Sequence, residues 1–162
     1  MMELRRLLRL LARHRVQFII VGGVAASLHG SARSTQDLDI VYARSKENHR
    51  RMAVALRGHR PYLRGAPPGL PFLWDEETIL RGLNFTLETD LGDLDLLGEI
   101  AGGGGYDDLR PHSIEFEAFG LRLRCLDLDT LIRVKQAAGR VRDLEAVAEL
   151  RVIRQERDRG GS

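Results

Sequence analysis

Leucines at positions 4, 7, 8 and 11 recur at helical spacing, so Met2–His14 is predicted to be an amphipathic helix, interrupted on its polar side by Arg5, Arg6, Arg9 and Arg13. Val16–Val21 is a β-branched apolar run and predicts a buried strand. Gly22-Gly23 ends it, and Val24–His29 resumes as a short helix. A polar turn over Gly30–Gln36 leads to a second strand, Leu38–Tyr42. Ser45 is placed to cap a helix over Lys46–Arg57 that Gly58 terminates. The next stretch, His59–Phe72, carries Pro61, Pro67, Pro68 and Pro71 and is predicted to be irregular, followed by a short helix at Asp75–Arg81.

From there the period changes to two. Leu83–Thr89 and Leu94–Ile100 alternate as strands around a turn at Asp90–Asp93. Ala101–Tyr106 holds four consecutive glycines and is predicted to be a mobile loop. Ser113–Phe119 and Leu121–Leu126 form a further hairpin around Gly120. Asp127 or Asp129 caps a helix through Ala138, and a second helix runs from Arg140 to about Gln155, leaving Arg157–Ser162 as a frayed tail. With no internal repeat and no linker, the pattern predicts an α+β fold: a mixed sheet flanked by helices, with a C-terminal helical pair. It is expected to be one domain over residues 1–162, its core at about 16–126 and its C-terminal helices at about 127–156.

Composition narrows the function. The 162 residues carry 25 Lys+Arg against 23 Asp+Glu, a net +2, which argues against a chain that coats nucleic acid by bulk charge. At 43% hydrophobic and 30% charged residues, the chain is not of disordered type. The near-balance hides an asymmetry: residues 1–60 carry a net +8, residues 61–162 a net −6, and positions 75–109 hold ten carboxylates and one Arg. Cys125 is the single cysteine, which excludes an internal disulfide framework, and its place in a strand reads as a buried structural thiol. The arginines of the first helix break any secretory h-region, and no stretch approaches membrane-spanning length, so a cytoplasmic protein with no membrane partner is expected. The five histidines lack metal-ligand spacing; His29, beside the glycine turn, is expected to make a local hydrogen bond.

The chemistry concentrates in Ile19–Ile40. A strand delivers Gly22-Gly23 straight into a helix, an arrangement in which phosphate oxygens can approach the backbone, although many such turns only reverse a strand. Asp37 and Asp39, two apart in a strand, project from one face while Leu38 and Ile40 face the core. Two neighbouring carboxylates persist where a cation lies between them or where solvent screens both, and hard oxygen ligands point to Mg²⁺ or Mn²⁺. Asp95, alone between leucines, is a third candidate; Asp93 is adequately explained by the turn. Three carboxylates suit a metal-assisted in-line displacement at phosphorus.

Other positions stay open between two readings. Lys135 is one of two lysines against 23 arginines and lies in an apolar helix, so its compact charge suits a phosphate, or it snorkels to solvent. Arg33 can hold a phosphate, brace its turn or pair with Asp37. Arg140 and Asp143, three apart, form a helix-surface pair or reach the site. The glycine run Gly102–Gly105 lacks the residues of a P-loop and reads as a connector or flap. Leu70, Phe72 and Trp74 in the Pro-rich segment form either a lid packed on the core or a partner surface.

The spacing Gly22-Gly23-x13-Asp37-x-Asp39 between apolar strands resembles the signature of the DNA polymerase β-type nucleotidyltransferase superfamily. Asp95 in Gly92-Asp-Leu-Asp-Leu-Leu97 is similar to that family's third carboxylate. The short form His29-Gly-x-x-Arg-x-Thr-x-Asp-Leu-Asp39 is similar to small bacterial nucleotidyltransferases, including toxin components of type IV toxin–antitoxin and abortive-infection systems. The resemblance covers Phe18–Leu97 and extends more weakly over Asp127–Leu150. It implies an enzyme that moves NMP from an NTP to an acceptor hydroxyl on tRNA, a protein or a small molecule. Without an evident template-gripping region, the transfer is expected to be untemplated. It further implies that Asp37, Asp39 and Asp95 hold the metal, with Asp95 also helping to deprotonate the acceptor. Gly22, Gly23, Ser27 and Arg33 would contact the nucleotide, and Lys135 and Asp143 would join the site from the helical region. An antitoxin protein is an implied partner. A non-catalytic module binding protein or RNA is the alternative, weakened by the presence of all three carboxylates.

Overall fold

The predicted strands meet in a mixed sheet, and the computed structural model describes it within residues 2–160. In chain order the elements are α1 (Leu4–Arg13), β1 (Phe18–Val21), α2 (Gly22–Leu28), β2 (Asp37–Tyr42), α3 (Lys46–Arg57), β3 (Tyr62–Leu63) and α4 (Glu76–Arg81). Then come β4 (Phe85–Thr89), β5 (Gly92–Leu97), β6 (Glu99–Ile100), β7 (Gly104–Gly105), α5 (Tyr106–Leu109) and a 3₁₀ turn at Arg110–His112. The chain closes with β8 (Ser113–Ala118), β9 (Leu121–Leu126), α6 (Leu128–Ala138) and α7 (Val141–Gly160). Among the described residues, seven strands form the main sheet in the order β3-β4-β5-β2-β1-β9-β8, and β6 and β7 form a separate ribbon.

The sheet is mixed because β1 runs antiparallel to β2 but parallel to β9, and β2 runs parallel to β5. Every residue of β1 is buried, as an apolar run in a central strand requires. In β2, Leu38 and Ile40 are fully buried and the alternate positions Asp37 and Asp39 are only half-buried, so the period-two reading holds. The register then sets Asp39 opposite Asp95 and Asp37 opposite Asp93. A continuous apolar core links this sheet to α1, α3 and α6.

Local chemistry fixes the ends. Ser45 Oγ accepts from Asn48 N, capping α3, and Asp75 Oδ1 accepts from Thr78 N, capping α4. Asp127, of the two candidates, caps α6 through Thr130 N, and Gly139 ends it in the left-handed conformation. Fully buried Asn48 clamps the start of β1 to the end of β2, accepting from Gln17 N and donating to Gln17 O and Ala43 O.

Three stretches depart from the expectation. Within the Pro-rich segment, Tyr62–Leu63 pairs with β4 at the sheet edge, where the prolines on either side interrupt no ladder. The four-glycine run is not a mobile loop: Gly104–Gly105 pairs with Glu99–Ile100, and Gly102 and Gly103 lie flush on α6, where a Cβ would come within 2.5 Å of Ala137 and 3.1 Å of Val134. At the C-terminus, α7 continues through Gly160, beyond the expected end near Gln155 and through the first part of the predicted frayed tail. Arg157 ties that last stretch down, donating to the His29 carbonyl at 3.0 Å. Residues 161–162 lie outside the described residues. Trp74 is buried, with Nε1 donating to Met52 O and its ring edge-on to Phe85, which favours the lid reading of this segment. Among the described residues, no helix is long and apolar enough to cross a membrane.

Candidate functional site

Parallel pairing of β2 and β5 brings the three predicted carboxylates together. One oxygen from each of Asp37, Asp39 and Asp95 can be chosen so that all lie within 4.8 Å of one another, the one such potential ligand group among the described residues. They line a cleft of about 560 Å³ walled by α2, residues 31–36, β2, β5, α6 and the start of α7. Burial, followed by the negative charges of Asp37 and Asp95, pushes Asp39 up to about 8. Asp37 is raised as well, by burial first and then by the negative charge of Asp95. Asp39 Oδ1 is buried and has no hydrogen-bond partner.

An orphaned carboxylate oxygen beside two further carboxylates is the donor set of a hard divalent cation, and the residues present fit Mg²⁺ or Mn²⁺. Alternating strand geometry and the β2–β5 register supply this cluster; the leucines between the aspartates anchor both strands in the core.

The glycines serve the same cluster. Gly22 has φ +68°, and a Cβ there would fall 2.1 Å from Asp39 Oδ2; a Cβ on Gly23 would fall 2.7 Å from Thr35 Oγ1. Their missing side chains therefore let β2 and its leading loop close against the first turn of α2, in addition to leaving that turn open to the cleft.

Of the remaining predicted residues, Lys135, Arg33 and Asp143 line the cleft. Lys135 is half-buried and lines the cleft rather than standing clear of it. Burial lowers its pKa, while the charges of Asp143 and Asp39 work in the opposite direction. Asp143 is 5% exposed and holds Arg140 Nε at 2.6 Å. Burial pushes its carboxyl up, but the hydrogen bond and charge of Arg140 outweigh that and hold it below the usual range. Arg33 faces Glu145 at 3.6 Å rather than Asp37. Ser27 is exposed and donates back to Gly23 O, and it is not among the cleft-lining residues. His29 makes hydrogen bonds as expected, but they are long-range rather than local: Nε2 lies 2.7 Å from Leu126 O at the end of β9, and Arg157 of α7 lies 3.0 Å from Nδ1. Burial lowers its pKa, assisted by the charge of Arg157.

Sequence reasoning missed Arg64. It follows β3 at the sheet edge and places its guanidinium over the carboxylates: Nη2 lies 2.8 Å from Asp95 Oδ1, Nε 3.3 Å from Asp93 Oδ2 and Nη1 3.8 Å from Asp37 Oδ2. Asp93 is thus a charged neighbour of the site rather than a turn residue alone. Nothing in the local pattern of a proline-rich stretch signals such a contact, which depends on the β3–β4 pairing. Arg140 and Arg142 also line the cleft. Beside it, a pocket of about 140 Å³ is walled by Leu97, Ile100, Leu131 and Val134 and shares Asp39 and Lys135 with the cleft.

No family model matches the chain, and no curated protein sequence matches it. Solved structures do. A lincosamide antibiotic adenylyltransferase, LnuA, solved with lincomycin bound, superposes with a TM-score of 0.62 at 15% identity, over 93% of this chain and 96% of its own. A Thermotoga maritima protein proposed to be a nucleotidyltransferase superposes with a TM-score of 0.57 at 17% identity, over 92% and 94%. These likenesses establish the fold as nucleotidyltransferase-like, with the mixed sheet, flanking helices and C-terminal helical pair that the sequence predicted.

Proposed function

We propose that the protein is a divalent-metal-dependent nucleotidyltransferase that moves NMP from an NTP to an acceptor hydroxyl without a template, forming a phosphodiester as the α–β phosphoanhydride breaks and pyrophosphate leaves. The observation that carries this reading is the carboxylate trio with the unpartnered Asp39 oxygen at the floor of an open polar cleft. Asp37, Asp39 and Asp95 would hold Mg²⁺ or Mn²⁺, which when bound supplies Lewis-acid stabilisation of charge on phosphoryl oxygens. The chain's own residues do the rest. Lys135, Arg33, Arg140 and Arg142 draw a polyphosphate into the cleft, and Gly22 and Gly23 let it approach the backbone. Asp95 accepts the proton of the incoming hydroxyl. Ser27 keeps at most a supporting role through the α2 turn.

A small-molecule hydroxyl is the acceptor we place first, ahead of tRNA or a protein hydroxyl. A structural neighbour that overlaps 93% of this chain is a lincosamide antibiotic adenylyltransferase, and the small pocket beside Asp39 offers Leu97, Ile100, Leu131 and Val134 to part of an acceptor's carbon skeleton. A toxin role with an antitoxin partner rests on the sequence motif alone.

The test is incubation with each of the four NTPs, labelled at the α-phosphate, with Mg²⁺ and three acceptor pools: hydroxyl-bearing small molecules, total tRNA and cell protein. Label is expected in the small-molecule pool with wild type and in none with Asp37→Asn or Asp39→Asn. Transfer by the variants at the wild-type rate would remove the metal assignment. Label in tRNA or protein instead would keep the reaction and replace the acceptor.

A further inference from the structure

The structure assigns Arg64 as a built-in counter-cation of the carboxylate cluster, one that a divalent ion must displace to bind. This rests on the proposed nucleotidyltransferase reading, and it concerns how the same site is kept before it is loaded.

The geometry is that of a bridging cation. One guanidinium reaches Asp95 and Asp93 of β5 and Asp37 of β2, spanning the two strands whose carboxylates would share a metal. Without it, the carboxylates of Asp37 and Asp95 would lie close together with no positive charge bridging the two strands. A positive charge already seated there competes with any other cation for the same oxygens.

The seat is also easy to leave. Arg64 Nε is buried yet has no aligned hydrogen-bond acceptor, its contact with Asp93 being an ion pair only. Arg64 Nη2 donates to Leu87 O at 2.8 Å as well as to Asp95, so a partner remains after the carboxylate is released. The backbone does not need to move, because Arg64 N is held by Thr86 O in the edge ladder. Displacement is thus a movement of the Arg64 side chain alone. A residue that instead oriented Asp95 for the metal would show the opposite thermodynamic sign, since its removal would weaken metal binding.

The experiment is Mn²⁺ binding, by the loss of the free-ion EPR signal, to wild type, Arg64→Gln and Arg64→Lys. Gln keeps a donor for Leu87 O without the charge. If Arg64 competes, Arg64→Gln binds Mn²⁺ about tenfold tighter than wild type, the scale expected when one charge at 3–4 Å stops opposing another at a half-exposed site. Arg64→Lys stays within about threefold of wild type. Equal or weaker binding by Arg64→Gln, with wild type binding normally, overturns the proposal and leaves the metal assignment standing. Absence of Mn²⁺ binding in all three overturns both. A measurement on wild type guards against a poorly folded variant. In the spectrum of ¹⁵N-arginine-labelled protein, the Arg64 Nε–H signal, identified by its absence in Arg64→Lys, should shift on titration with Mg²⁺ along the binding curve. A signal that stays fixed while Mg²⁺ binds also overturns the proposal.

Discussion

Replacing Asp39 by Asn should remove a pH dependence of folding that the metal-free protein carries. Asp39 sits at about 8 in the fold against 3.8 for a free aspartate, first because it is buried and then because Asp37 and Asp95 crowd it. Between those two values the folded cluster holds a proton that the unfolded chain has released. The stabilisation is therefore complete below about pH 4 and is lost as pH climbs through 8. One extra bound proton is worth about 1.4 kcal/mol per pH unit, so the ceiling over this window is about 6 kcal/mol. Water reaches the open cleft, and Lys135 offsets part of the charge, which brings the working figure to about 2 kcal/mol. For a chain of this size that corresponds to about 4–8 °C in Tm.

The assay is thermal unfolding by circular dichroism in chelator from about pH 5 to about pH 8.5. Wild type should lose stability relative to Asp39→Asn as pH rises, and Mg²⁺ should abolish the trend by taking the place of the proton. Other titrating groups such as His29 are common to both proteins and cancel in the difference. A wild-type-minus-variant difference that is flat with pH, or that rises, would refute the argument that burial and like charge hold a proton on this cluster.

Four further outcomes follow from named contacts. Gly22→Ala forces a Cβ into Asp39 Oδ2 at a positive φ, so it should cost about 1–3 kcal/mol in thermal melts and on the order of 100-fold in nucleotidyl transfer. Lys135→Gln should raise the KM for NTP and slow transfer on the order of 100-fold, while Arg, which is larger and forked, restores only part of the loss in steady-state kinetics. Cys125, its thiol pushed up to about 12 by burial, should resist alkylation in the native state and react fully once unfolded, as read by mass spectrometry. Arg157→Ala should free the end of α7 from His29 and accelerate hydrogen exchange over the last two turns while leaving the sheet protected.

Most of the site was legible because it depends on short-range rules. Strand alternation places Asp37 and Asp39 on one face, and an isolated Asp95 between buried leucines marks a second strand turned the same way. The adjacency of these two strands follows from no local pattern; the family motif supplied it. Lys135 stood out because lysine is rare in this chain, and the fold places it in the cleft. Arg64 was illegible because its role arises from a two-residue edge pairing inside a stretch whose prolines argue against any strand. The four glycines were misread for a related reason. Their flexibility in isolation says nothing about whether a neighbour demands the absence of a side chain, and here Ala137 and Val134 of α6 do. Sequence pattern reports what a residue prefers, whereas these positions are set by what approaches them.

The charge asymmetry of the chain acquires a different meaning at the site. The excess of the first sixty residues does not form the cleft's cationic wall on its own; Arg33 comes from that part, but Lys135, Arg140 and Arg142 come from the acidic remainder. Where β2 pairs with β5, Asp37, Asp39, Asp93 and Asp95 crowd one another around the Arg64 guanidinium, a local imbalance that a divalent ion would offset. In its absence the cluster lowers the imbalance by holding a proton, as the raised Asp39 and Asp37 indicate. Proton, guanidinium and divalent cation are thus three occupants competing for one set of oxygens. Raising pH removes the first and Arg64→Gln removes the second, so each perturbation should tighten Mn²⁺ binding. Performing both should bring the affinity to a limit set by the carboxylates alone.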